Sequence, residues 1–153
     1  MGDVTGRLQF TYTSLDDYRI VYPQLEENFS EQNAYSIAKR QNVPYNVFIS
    51  TPFARVGMNE KEAASLGIKA RVVKMPAAGI PKAQVLRKTD GMLKALIGED
   101  GKILGAMLIC EEAYEMINIV KLAMDANLSY TVLRDQIFTH PTMSESLNNL
   151  FSM

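Results

Sequence analysis

Between Met92 and Cys110 the chain reads MLKALIGEDGKILGAMLIC, two apolar runs on either side of Glu99-Asp100-Gly101. A glycine-bearing turn between runs of this length signals an antiparallel hairpin, because the runs pair only by folding back on the turn. The hairpin puts an antiparallel sheet at the centre of the fold. The rest of the sequence must supply the remaining strands and cover the apolar face.

Upstream, VPYNVFIS from Val43 reads as a strand, ARVGM from Ala54 as a second short strand or turn, and ARVVKMP from Ala70 as a third strand. NEKEAASLG reads as a helix. Asn59 caps its first amides, Glu62 reaches back three positions later, and Gly67 closes the other end. Ala77 to Asp90 contains Gly79 and Pro81 and is expected to be an irregular crossing.

Downstream, apolar residues at Ala113, Met116, Ile117, Val120, Ala123 and Met124 form one helical stripe ending near Asn127. SYTVLRDQ predicts a further helical turn or two. Thr142 to Met153 predicts a last helix with Met143, Leu147, Leu150 and Phe151 on one side. Antiparallel strands faced by helices make an α+β layer fold.

The first 42 residues differ in character. LQFTYTSLDDYRIVYPQL, residues 8–25, reads as a short amphipathic helix starting near Thr11 to Thr13 and broken at Pro23, after a turn between Gly2 and Gly6. Residues 26–42 are polar with weak periodicity and read as a linker or loosely held loop. With 153 residues and 47% hydrophobic content, one compact domain plus a tail is expected, divided as 1–42 and 43–153.

Charge and cysteine content exclude several functions. Sixteen basic and 17 acidic residues, mixed along the chain for a net charge of −1, offer no stripe for nucleic acid or an anionic membrane. No apolar run approaches a membrane span, and MGDVTGRLQF lacks the apolar core of a signal peptide, so a cytoplasmic location is expected. Cys110 is the only cysteine, which rules out an intramolecular disulfide and paired-cysteine zinc sites; its setting, MLIC, reads as core. Met107, Met116 and Met124 also fall in strand or helix stripes and read as core. No glycine-rich dinucleotide or phosphate loop and no redox cysteine pair is present, so the chain is not a self-sufficient redox enzyme.

The only histidine, His140, lies in IFTHPTMSES, five residues before Glu145. A carboxylate on an imidazole fixes its tautomer and raises its basicity for proton transfer. Thr142-Met-Ser-Glu145 is equally a capping box, and the two roles are compatible if the helix start turns Glu145 toward His140. A different class of reading makes His140, Glu145 and Met143 ligands of a small metal- or ligand-binding module.

Three stretches, ARVGMNEKEAASLG, GMLKALIGEDGKILGAMLICEEAYEMI and IFTHPTMSESL, together resemble the C-terminal interface domain of the pyridine nucleotide-disulfide oxidoreductases, the flavin enzymes that include glutathione reductase, dihydrolipoamide dehydrogenase and mercuric reductase. The resemblance covers Val43 to the end. It implies that His140 and Glu145 are an acid/base pair completing the active site of the partner subunit in a homodimer, and that the His140–Pro141 bond is cis. It also implies FAD and NAD(P)H in the intact enzyme, held by domains this chain lacks. Gly2-Asp3-Val4 matches a segment whose aspartate bonds the ribityl region of FAD, and Thr11 matches a threonine at a helix start beside the flavin. Tyr12 stands where that segment usually has proline. Residues 1–42 are then the end of an FAD domain whose body is absent, and the isolated chain is expected to bind no cofactor and to be inactive. SLDDYRIV, EMINIVKLAMDA and LRDQIFTHPTMSESLN look closest to the bacterial branch linked to reactive-chlorine resistance, which implies an acceptor other than glutathione, such as a metal ion or quinone.

Overall fold

A computed structural model of the chain describes residues 1–30 and 34–153; residues 31–33 of the 26–42 linker stretch lie outside the described residues. The chain divides into two compact units, 1–41 and 42–153.

In the first unit, helix α1 spans Thr11–Val21 and passes into a 3-10 turn at Tyr22–Leu25 that carries Pro23. The Thr13 hydroxyl lies 2.7 Å from both the Leu8 and Phe10 carbonyls, which share its single proton, and fastens the helix entry. Asp17, buried on α1, accepts the Gly2 amide at 2.7 Å and a guanidinium N–H of Arg40. Arg40 Nε also donates to Asp16 at 2.6 Å. These bonds hold the N-terminal 3-10 turn, Gly2–Thr5, and the short 3-10 turn Ile37–Lys39 to one helix. Arg40, followed by the Gly2 amide, holds the Asp17 carboxyl below its ordinary range.

The second unit is built on a five-stranded sheet of β1 (Tyr45–Val47), β2 (Phe53–Gly57), β3 (Ala70–Pro76), β4 (Met92–Gly98) and β5 (Ile103–Ile109), in the order β1-β2-β5-β4-β3. Every pairing is antiparallel. The hairpin predicted from its turn is the β4–β5 pair, running from Met92↔Ile109 to Ile97↔Ile103. Gly101 has φ +76°, and Lys102 N–H donates to the Asp100 carboxylate at 3.0 Å.

Helix α2 (Glu60–Ser65) carries the predicted capping box. Glu62 N–H donates to Asn59 at 2.9 Å, and Asn59 N–H donates to the Glu62 carboxylate at 2.8 Å. Gly67, at φ +67°, ends it with a bond from its own N–H to the Ala64 carbonyl. The 77–90 stretch is more regular than its composition suggests. A 3-10 turn at Ala77–Gly79 leads into helix α3, Pro81–Leu86, because Pro81 sits at the first helical position, where no N–H is needed.

Helices α4 (Ala113–Asp125), α5 (Tyr130–Asp135) and α6 (Ser146–Phe151) follow the hairpin. Ala113, Met116, Ile117, Val120 and Ala123 of α4, with Leu147, Leu150 and Phe151 of α6, are buried in one core with Ala54, Val56, Val73, Met75, Leu93, Ala95 and Leu108 of the sheet. Each large side chain among them contributes about 1.5–3 kcal/mol by leaving water. Met124 is partly buried against the same cluster.

Two boundaries differ from expectation. The 43–50 strand shrinks to Tyr45–Val47; it ends at Val47 because that residue lies opposite Phe53, the first residue of its neighbour β2. The last helix starts at Ser146 rather than Thr142, because the capping turn at Thr142–Glu145 is a separate turn with the Glu145 side chain folded back over it.

Candidate functional site

His140 lies in the connection between α5 and α6, and side chains of its neighbours fix that connection. Asn148 of α6 donates to the carbonyls of Leu133 and Arg134 at 2.9 Å and of Gln136 at 3.1 Å, binding the end of α5 to the face of α6. Phe138 packs against the core, and the His140–Pro141 bond is cis, as the resemblance implies.

His140 Nδ1 is 2.8 Å from Glu145 Oε2. The other carboxylate oxygen, Oε1, accepts the Thr142 amide at 3.3 Å, and the Glu145 amide donates to the Thr142 hydroxyl at 3.2 Å. The two roles left open by the sequence therefore coexist: one oxygen completes the capping box and the other faces the imidazole. An ionised carboxylate only accepts, so the proton of the neutral ring lies on Nδ1 and Nε2 is left with its lone pair. This arrangement can take a proton at Nε2 and stabilise the resulting imidazolium through Glu145.

Met143, the third member of the metal-module reading, is fully buried in the core, whereas the imidazole is exposed. Among the described residues no group of three or more histidine, cysteine, aspartate and glutamate side chains is placed to hold a metal ion. Cys110 is also in the core, its sulfur 3.9 Å from that of Met116, and burial pushes its thiol up to about 12.

The residues matched to the flavin site lie in the first unit. Asp3 is exposed on the Gly2–Thr5 turn, and Thr11 is exposed at the first residue of the eleven-residue α1. An exposed carboxylate and the positive end of a helix suit the hydroxyls and the electron-rich edge of a flavin nucleotide, so both residues fit that group. Gly2 has φ +71°, which L side chains rarely adopt, and a Cβ there would come within 2.9 Å of the Ser14 hydroxyl, so this turn favours glycine.

Sequence reasoning missed the Asn148 clamp and the Arg40 bridge to Asp16 and Asp17. Both join residues twelve or more positions apart through polar side chains, and no periodic signal marks such contacts.

Comparison with known proteins gives these features a setting. Residues 43–151 match the family model described as the pyridine nucleotide-disulphide oxidoreductase dimerisation domain. The chain is 54% identical over 154 residues to the probable pyridine nucleotide-disulfide oxidoreductase RclA of Escherichia coli, covering 100% of this chain and 34% of that protein. It is 30% identical to a mercuric reductase of Staphylococcus aureus, over 95% of this chain and 26% of that protein. The chain thus spans about a third or less of the length of these relatives. Among solved structures, the HOCl-induced flavoprotein disulfide reductase RclA from Escherichia coli superposes with a TM-score of 0.93 at 55% identity, covering 100% of this chain and 34% of that one. The same protein has been solved as a Cu(II) complex, which superposes with a TM-score of 0.93 at 56% identity over 99% of this chain and 34% of that one. Among the described residues no helix is long and apolar enough to cross a membrane. With the dimerisation-domain model matched over 43–151 and the antiparallel sheet and helices superposing on a flavoprotein disulfide reductase, the chain belongs to the pyridine nucleotide-disulfide oxidoreductase family, in the branch of the HOCl-induced RclA.

Proposed function

We propose that this chain is the C-terminal dimerisation domain of an FAD-dependent NAD(P)H oxidoreductase of the cytoplasm. It assembles as a homodimer and supplies His140 and Glu145 as the acid/base pair of the partner subunit's active site. The observation that carries the reading is the 2.8 Å contact between His140 Nδ1 and Glu145 Oε2 on an imidazole that stays exposed. A proton-transfer group that works on another subunit needs both a fixed tautomer and an open face.

The chain's own residues divide the work. His140 Nε2 accepts a proton from a thiol or substrate and returns it, while Glu145 holds Nδ1–H and stabilises the charged ring. The thiols belong to another domain of the intact enzyme, because Cys110 is buried and poorly ionised. Asp3 and Thr11 would contribute to holding FAD, which when bound supplies electron transfer between the nicotinamide and the thiols. Exposed Phe48, Ile49 and Ile137 are the kind of apolar side chains that a subunit interface covers. The electron acceptor is one other than glutathione, such as a metal ion or quinone, a reading supported by the branch to which the chain belongs and, for a metal ion, by the Cu(II) complex of its relative.

Subunit hybrids of the full-length enzyme test the reading. A His140→Ala protein is mixed with one whose redox cysteines are replaced, each inactive as a homodimer. Hybrids with one intact site regain activity if His140 acts across the boundary; if mixing restores nothing although hybrids form, the pair does not act on the partner.

A further inference from the structure

We infer that Thr142 is a positioning residue that sets the geometry of the His140–Glu145 pair from within its own chain. The inference rests on the acid/base reading for its importance but on local geometry for its content.

The Thr142 hydroxyl makes two bonds of opposite sense. It donates to the Thr139 carbonyl at 2.8 Å, on the chain just before His140, and accepts the Glu145 amide at 3.2 Å. A hydroxyl has one proton to give and lone pairs to receive, so a single oxygen closes the loop that carries the pair. The backbone of the same residue adds a third tie, from its N–H to Glu145 Oε1 at 3.3 Å. That bond leaves Oε2 turned toward His140 Nδ1, 2.8 Å away.

Removing the hydroxyl has a specific consequence. Thr139 and the Glu145 amide separate, the longer N–H···Oε1 bond loses the closed loop that aligns it, and the carboxylate is free to turn from the imidazole into water. The loss falls on the tautomer of His140, because the bond at Nδ1 decides which ring nitrogen keeps the proton. Thr142 bonds to Thr139 and Glu145, and its effect on His140 passes through Glu145.

Because the chain contains one histidine, a single imidazole reports the result. Long-range ¹H–¹⁵N spectra of the full 153-residue chain, recorded where the ring is neutral, read the Nδ1–H and Nε2–H populations directly. Nδ1–H should dominate in the unsubstituted chain and in Thr142→Ser, which keeps the hydroxyl, and lose that dominance in the isosteric Thr142→Val and in Thr142→Ala. Amide spectra of the same samples confirm that the fold is kept.

An unchanged tautomer in folded Thr142→Val overturns the role of Thr142 and leaves the acid/base reading standing. A mixture of tautomers already present in the unsubstituted chain overturns both, since the pair is then not formed. Amide exchange in the unsubstituted chain needs no variant: slowed exchange at Glu145 N–H supports the clasp, and exchange at the open-chain rate overturns it.

Discussion

His140 and Glu145 share a hydrogen bond but not an environment: the imidazole side chain is 69% exposed and its carboxylate partner 17%. The imidazole reaches outward while the carboxylate bonded to its Nδ1 stays beneath, held by the turn at Thr142. Replacing His140 should therefore affect chemistry and leave the fold intact. In the full-length enzyme, His140→Gln should lower turnover by about 10²- to 10⁴-fold, the usual contribution of a positioned acid/base. In denaturant titration of this chain it should change stability by no more than about 0.5 kcal/mol, as an exposed side chain does.

Met143 lies between these two residues in sequence yet is fully buried. Met143→Leu preserves volume and should cost under about 1.5 kcal/mol, whereas Met143→Ala opens a cavity and should cost about 2–5 kcal/mol in the same titration. A ligand role for the sulfur would reverse the pattern: Met143→Leu would then abolish metal binding while leaving stability unchanged.

The thiol of Cys110, pushed up to about 12 by burial, should resist modification. At pH 8 the folded chain should react with a thiol-specific disulfide reagent many times more slowly than the chain in guanidinium, where one thiol per chain should appear. Absorbance kinetics give the comparison.

Asp17 makes the first unit acid-sensitive. Its folded carboxyl is held below the ordinary value by Arg40 and the Gly2 amide, so its stabilisation is complete above the unfolded value of about 3.9 and is lost as pH falls through the lower folded value. Carboxyl ¹³C titration should find Asp17 below the ordinary range, and Arg40→Ala should move it back up.

Exposed Phe48, Ile49 and Ile137 predict association. Sedimentation of the purified chain should give about twice its 17.1 kDa mass, and an absorbance scan of the same sample, expected to be colourless, checks for retained flavin.

The sequence by itself determined the sheet and its covers, because these rest on local signals of fixed period. The turn at Glu99-Asp100-Gly101 sets the β4–β5 hairpin, Asn59 and Glu62 start α2, and the stripe from Ala113 to Ala123 faces the core. The motif around His140 also marked the candidate site, through its resemblance to a family pattern. Only the tertiary structure decided what the Glu145 carboxylate does. Spacing allowed a helix cap or a histidine partner, and the turn at Thr142 gives one oxygen to each. Tertiary pairing likewise ended the first strand at Val47, opposite Phe53, the first residue of its neighbour. It also joined Asn148 to the end of α5 and Arg40 to α1, contacts between polar side chains distant in sequence that no periodicity records. Periodic burial is written along the chain, whereas the direction of a single polar side chain depends on which distant groups folding brings beside it.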